Sequence, residues 1–236
     1  MKQTPIHFKL VLVFVIFAIV ISCGLTIIFY NTAKNKLLID IRTRLRDVAT
    51  LAALQVNSEI HKTLHKRTQE NSKSYRIIKN SLQKVRDSAT DIKYIYTMRL
   101  RDNGEIYFVV DAEENPQEIA HLNETYDDAS HYLQNNFKTM RKTVVEKDFY
   151  KDEWGTWLTG YAPVYDKLGN RECIVGIDIS AKKVQNYIKK LQFIFLLIFI
   201  LSIPISLVIG WLLGKKLSAP VLKLKSYAEQ IGDGEL

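Results

Sequence analysis

Residues 92–110 read IKYIYTMRLRDNGEIYFVV, two runs of β-branched and aromatic residues on either side of Asp102-Asn103-Gly104. Runs of this composition mark strands, and an Asn-Gly pair between them marks a hairpin turn. Residues 92–100 and 105–110 are therefore expected to pair. Successive strand side chains point to opposite faces. Strict alternation puts Tyr94, Tyr96 and Met98 on one face and Ile95, Thr97 and Arg99 on the other. In the returning strand it groups Tyr107, Val109 and Asp111. A second hairpin is expected from 156–165 (TWLTGYAPVY), across Asp166-Lys167-Leu168-Gly169-Asn170, to 172–179 (ECIVGIDI). Between the hairpins lie a loop and a short helix near 128–140.

Such a sheet needs helices on one face to bury its apolar side. Leu37, Ile41, Leu45, Val48, Ala52, Val56 and Ile60 recur every three or four residues. That spacing predicts one apolar stripe along a long helix, the expected cover of the sheet. A second amphipathic stretch, Tyr75, Ile78, Leu82 and Val85, follows polar residues 69–74.

Two uncharged apolar runs flank this region, 21 residues at 10–30 and 23 residues at 191–213. A bilayer core needs roughly 20 apolar helical residues, so each run is long enough to span. No small-x-small cleavage site follows the first run, which is expected to stay as an anchor. The expected organisation is a cytoplasmic start at 1–9, spans at 10–30 and 191–213, an outer domain at 31–190 and a relay helix at 214–236. Lysines flank both runs on both sides, with Lys2, Lys9, Lys215 and Lys216 set against Lys34, Lys36, Lys182, Lys183, Lys189 and Lys190. The positive-inside rule is thus nearly balanced.

The whole chain of 236 residues carries 33 Lys+Arg against 25 Asp+Glu, net +8, with 47% hydrophobic residues. That excludes a disordered chain, and two cysteines exclude a disulfide scaffold. Cys23 in a span and Cys173 in a strand are not expected to pair. The charge is segregated, net +10 over residues 31–101 and net −9 over 102–181. The overall basic balance is therefore no nucleic-acid footprint, and no nucleic-acid partner is expected. Arg42, Arg44 and Arg46 near the membrane end either meet anionic headgroups or face water.

The segments 94–115 (YIYTMRLRDNGEIYFVVDAEEN) and 152–180 (DEWGTWLTGYAPVYDKLGNRECIVGIDIS) together resemble the extracytoplasmic Cache, or PAS-like, sensor domains of bacterial and archaeal receptors. The resemblance covers most of residues 35–185. It implies an α+β fold, a long N-terminal helix packed on a single antiparallel sheet. It also implies a small ligand held between that sheet and a flap of loops and short helix. The tail adds Leu217, Val221, Leu224, Ala228 and Ile231 at a/d spacing, Pro220 expected in a first turn, and Gly232-Asp233-Gly234-Glu235-Leu236 as a break. It resembles the first helix and connector of a HAMP relay domain, which implies a cytoplasmic effector beyond Leu236.

A ligand pocket needs aromatic walls and a few placed polar groups. The candidates are Tyr94, Tyr96, Arg99, Asp111, Trp154, Trp157, Tyr161 and Asp178. The aromatics serve either as a cage or as sheet packing, and Asp111 either meets the ligand or ends a strand. Asp178 lies in an apolar strand, where a carboxylate is costly unless paired. The resemblance implies that an Asp in this closing G-x-D-I motif takes a ligand amino group; capping the next helix or pairing with a lysine is the alternative. The Arg-x-Trp-Tyr signature that grips a ligand carboxylate in amino-acid-binding Cache domains is absent, and Arg99 is the candidate substitute. Asp111, Glu113, Glu114 and Glu118 form either a divalent-cation cluster or a solvated loop.

Little points to catalysis. His61 and His65 are four apart, as metal ligands on a helix are, but Lys62 stands where a metalloprotease needs Glu. Both are expected to be exposed on the long helix. No G-x-S-x-G, P-loop or Cys-x-x-Cys occurs. No cofactor, metal or catalytic residue is expected within the chain. The pattern as a whole predicts a receptor in a lipid bilayer, a homodimer through stripe and seam. Its ligand is expected to be an amino acid, amine or carboxylate, and its output a kinase, cyclase, phosphatase or chemotaxis-type effector. The alternative is a membrane-tethered adhesion or assembly protein.

Overall fold

The computed structural model describes residues 6–232. Positions 1–5, the connector residues Asp233–Leu236 and the side chains of Val221, Ala228 and Ile231 lie outside the described residues. Along the chain come α1 (Ile6–Gln55), α2 (Ser58–His61), a 3-10 turn (Arg67–Asn71), α3 (Lys73–Ser88), β1 (Tyr94–Leu100), β2 (Ile106–Asp111), α4 (His131–Asn136), β3 (Val144–Val145), β4 (Tyr150–Lys151), β5 (Thr156–Tyr165), β6 (Arg171–Ser180) and α5 (Ala181–Gly232). They form two compact units, Lys36–Tyr187, and the remainder of α1 with α5 from Ile188 onward.

In the first unit both expected hairpins are present, with Gly104 at positive φ in the β1–β2 turn. They join along β1 and β6, giving the antiparallel order β2-β1-β6-β5-β3, with β4 also paired to β5. The fold is α+β with a PAS-like sheet. β3 and β4 are two-residue strands in the expected loop, too short to leave a periodic signal.

The long helix covers one face of the sheet. Leu45, Ala49 and Ala52 are fully buried, whereas Val48 is only half-buried. Leu45 seats on Gly160 of β5, where an added Cβ would lie 3.0 Å from Leu45 Cγ. α3 begins at its cap Ser72, whose Oγ accepts from Tyr75 N at 3.2 Å, and buries Tyr75, Ile78 and Leu82 as their spacing predicts. Asp91 ties α1 to α5, accepting from Arg44 at 2.9 Å, Lys183 at 3.1 Å and Tyr187 at 2.7 Å.

Two expectations are corrected here. The helical stripe stops at Gln55. Asn57 then caps a separate turn, its Oδ1 accepting from Ile60 N at 3.1 Å, so Ile60 and His61 leave the long helix. Pro220 does not open a new helix, because α5 runs unbroken from Ala181 to Gly232 with Pro204 and Pro220 inside it.

In the second unit, the N-terminal part of α1 and the later part of α5 are long and apolar enough to cross a membrane. They touch through Ser22 and Ser202, 2.8 Å apart, and through the rings of Tyr30 and Phe195. Their apolar residues are otherwise mostly exposed. Cys23 and Cys173 are both free.

Leu45→Ala is expected to destabilise the first unit by about 2–5 kcal/mol, the usual cost of truncating a buried leucine. Denaturant unfolding followed by tryptophan fluorescence measures it.

Candidate ligand cavity

The sheet face turned away from α1 carries a cavity of about 20 Å3, room for about one water. Its aromatic walls are Tyr94, Tyr96, Phe108, Tyr126 and Trp154. Phe108 stands at the centre, with ring centroids 5.3 Å from Tyr96, 4.6 Å from Tyr126 and 5.7 Å from Trp154. Four carboxylates, Asp111, Glu118, Asp152 and Asp178, complete the lining with Ala120.

Strand register explains how these groups meet. Tyr94 lies opposite Asp178, and Tyr96 opposite Gly176. A Cβ on Gly176 would fall 2.4 Å from the Tyr96 ring, so only glycine lets that ring lie across β6. β2 departs from strict alternation. Met98 pairs with Phe108 but Thr97 with Val110, so Val109 bulges. The extra residue puts Phe108 and Asp111 on the cavity face together, and the expected grouping of Asp111 with Tyr107 and Val109 is corrected.

Each carboxylate has a different set of donors. Asp152 Oδ1 accepts from Trp154 N and Gly155 N at 3.0 Å and from Trp157 Nε1 at 2.7 Å, and its Oδ2 from Tyr126 at 3.0 Å. Asp111 accepts from Glu113 N at 2.9 Å and Ala120 N at 2.8 Å. Glu118 accepts from Lys93 at 2.7 Å and Tyr94 at 2.8 Å. Asp178 Oδ1 takes the Thr159 hydroxyl, with Tyr96 also beside the carboxyl. Burial pushes the Asp111 carboxyl up to about 6 and holds that of Asp178 well above the ordinary aspartate range.

Five of the eight candidates, Tyr94, Tyr96, Asp111, Trp154 and Asp178, line the cavity. Trp157 and Tyr161 belong to the same buried cluster but stand behind the lining. Trp157 packs edge-on to Tyr94 at 5.0 Å, and Tyr161 donates to the buried Glu146 at 2.7 Å. Arg99 is not brought to the cavity. It lies on the opposite face, bonded to Glu172 and, at 2.7 Å, to Leu64 O. There it joins His61, which is fully buried rather than exposed: Nε2 is 2.9 Å from Thr97 Oγ1 and Nδ1 3.0 Å from Glu172. Burial holds the His61 imidazole below its ordinary pKa. His65 is exposed, as expected.

Phe108, Ala120, Tyr126 and Asp152 are lining residues that sequence pattern did not single out. Only the DEWG stretch hinted at Asp152, since Asp before Gly marks a turn. Glu118 enters through its contact with Tyr94, not through an acidic metal cluster. No metal-competent group of His, Cys, Asp and Glu occurs among the described residues.

The chain thus combines a PAS-like sheet, an aromatic and carboxylate cavity on it, and two helices long and apolar enough to cross a membrane. No family model matches the chain. A probable methyl-accepting chemotaxis protein of Bacillus thuringiensis is 32% identical over 99 residues, which is 42% of this chain and 16% of that protein. Among solved structures, the chain is similar to the ligand-binding domain of the Campylobacter jejuni chemoreceptor Tlp3 in complex with 4-methylisoleucine. The identity is 13% and the TM-score 0.45, with 78% of this chain and 64% of that one covered. The Escherichia coli DcuS sensor domain gives 18% identity and a TM-score of 0.40, with 62% of this chain and 98% of that one covered.

The Asp111 carboxyl, at about 6 in the folded chain against an ordinary 3.8, favours folding below that ordinary value and loses this contribution as pH rises through 6. The rise is worth about 3 kcal/mol. The stability difference between wild type and Asp111→Asn is therefore expected to shift against wild type between pH 4 and 7, as read from paired melting curves.

Proposed function

We propose that the chain is a transmembrane receptor whose outer domain, residues 31–190, binds a small polar ligand (an amino acid, amine or carboxylate) in the cavity. The observation that carries this reading is Asp178, an acid 2% exposed in an apolar strand that takes the Thr159 hydroxyl and faces the cavity beside its aromatic walls. The name of the Bacillus thuringiensis relative, a probable chemotaxis protein, supports a receptor over a tethered adhesion protein.

Asp178 stands three residues before Ala181, where β6 passes without a loop into α5. The cavity has no room for a ligand larger than a water, so binding must open it and displace the strand or the Trp154 loop. A ligand shifts a receptor only by its differential affinity for two states. Closed and opened cavities provide such states, and α5 is the element through which the shift would leave the domain. In this reading the spans are 10–30 and 191–213, the sensor is extracytoplasmic, and residues 214–236 begin a HAMP-type relay. Pairing of two copies through the α1 stripe and the Leu217–Leu224 seam completes the receptor.

A ligand at about 100 times its Kd adds about 2.7 kcal/mol to stability, a rise of several degrees in Tm. The chain in detergent micelles is expected to show such a rise with a compound from a panel of amino acids, amines and carboxylates. Asp178→Ala is expected to abolish it while keeping the far-UV circular dichroism of the wild type. A panel that moves no melting temperature counts against ligand sensing.

A further inference from the structure

We propose that His61 makes the Lys36–Tyr187 unit acid-responsive: a proton added to its buried imidazole releases α2, and with it the end of α1, from the sheet. The proposal stands apart from the ligand cavity, which lies on the other face.

Four polar side chains meet where α2 rests on β1 and β6. The His61 side chain has no exposure to solvent. Its Nε2 is 2.9 Å from Thr97 Oγ1, and its Nδ1 is 3.0 Å from Glu172 Oε1 and 2.9 Å from Arg99 Nη2. Arginine can only donate. Nδ1 therefore accepts from Arg99, and the ring proton sits on Nε2 and is donated to Thr97. The Thr97 oxygen also takes Val110 N–H at 2.9 Å. Arg99 is the tie between sheet and helix turn. From β1 it bonds to Glu172 on β6, to the carbonyl of His61 and, at 2.7 Å, to that of Leu64. Leu64 is fully buried, and α2 starts at Ser58, close behind the end of α1 at Gln55.

A second ring proton breaks this arrangement. It would sit on Nδ1 and point at Glu172, where Arg99 already donates. Nδ1 could then no longer accept from Arg99, and two cations would share one carboxylate away from water, which is costly. Burial, with the Arg99 charge, outweighs the bond to Glu172 and holds the imidazole below its ordinary pKa. Burial also works against the Glu172 charge, but His61 and Arg99 keep that carboxyl below the ordinary range, so it stays ionised while the imidazole titrates. The other charges near α2 give no relief. Lys62 bonds Asp166 of the β5–β6 turn at 2.8 Å and lies 3.7 Å from Glu59. His65 is exposed, and its charge would add to the repulsion. α3, which also packs on α2, turns Tyr75, Ile78 and Leu82 inward, with the Tyr75 hydroxyl 3.5 Å from Asp111 N. α1 carries no charged residue after Asp47.

The sign follows from linkage. A detached α2 returns His61 to water and to its ordinary pKa of 6.5. Above that value both forms are neutral and the tie holds in full. Below it the detached form takes the proton and the closed form does not. Opening therefore gains about tenfold per pH unit, until the closed form protonates too.

The test is amide hydrogen exchange of the full chain in detergent micelles at pH 7 and pH 5, corrected for the intrinsic exchange rate. The amides of His61, Lys62 and Leu64 bond to Asn57 O, Ser58 O and His61 O. They are expected to lose about tenfold or more of their protection at pH 5, while the β6 amides keep theirs. His61→Gln, which takes no proton, is expected to hold equal protection at both pH values. Asp111 titrates in the same window but is unchanged in the variant, so it cancels from the comparison. Should the variant not fold, the His61 ring resonance of the wild type replaces it, and its titration is expected to follow the loss of protection. Unchanged protection at residues 61–64 overturns the proposal. So does an equal loss in β6, an equal loss in His61→Gln, or a ring titration out of step with the loss.

Discussion

The pairing of β1 with β6 is the contact on which the Lys36–Tyr187 unit depends. Each hairpin closes a short loop and is cheap to form, but β1 and β6 are about eighty residues apart, and their union carries the cost of a long-range closure. The register of that pairing sets Tyr94 against Asp178 and Tyr96 against Gly176, while Thr159 meets Asp178 from the other side. The floor of the cavity is thus built from three strands that two separate hairpins contribute. The same pairing brings Thr97 and Glu172 to one region on the opposite face, where His61 bonds to both.

The two faces of the sheet treat polar groups differently. On the α1 side, His61 is placed between Thr97 and Glu172, and Glu172 is also bonded to Arg99. Burial works against the Glu172 charge, yet His61 and Arg99 hold its carboxyl below the ordinary range. A network satisfied in this way stiffens a core. On the other side Asp178 takes the Thr159 hydroxyl, while the buried Tyr96 hydroxyl has no hydrogen-bond partner. Arg42 Nε, on the long helix, is likewise buried without a partner.

The hairpins were legible because their composition, turn residues and period are local. The same holds for α3 and for most of the stripe on α1. The break at Val56–Asn57 was harder to read, because apolar spacing continued through Ile60 while the Asn57 cap ended the helix. Among the candidates, Tyr94, Tyr96 and Asp178 followed from alternation and from the oddity of an acid in an apolar strand. Phe108 did not, because one bulged residue at Val109 reverses the parity of everything before it in β2. Tyr126 and Asp152 sit in irregular loops, where no period exists and hydrogen-bond partners alone place a side chain.

By itself, then, the sequence determined that two apolar segments bracket an α+β domain with two hairpins, because length, period and turn chemistry act over a few residues. It also determined that an aspartate would stand in the closing strand. Tertiary structure alone decided which acids line the cavity, which arginine is withdrawn across the sheet and how small the cavity is. Those outcomes depend on the register between distant strands, and a one-residue shift in register would have turned every one of these side chains to the opposite face.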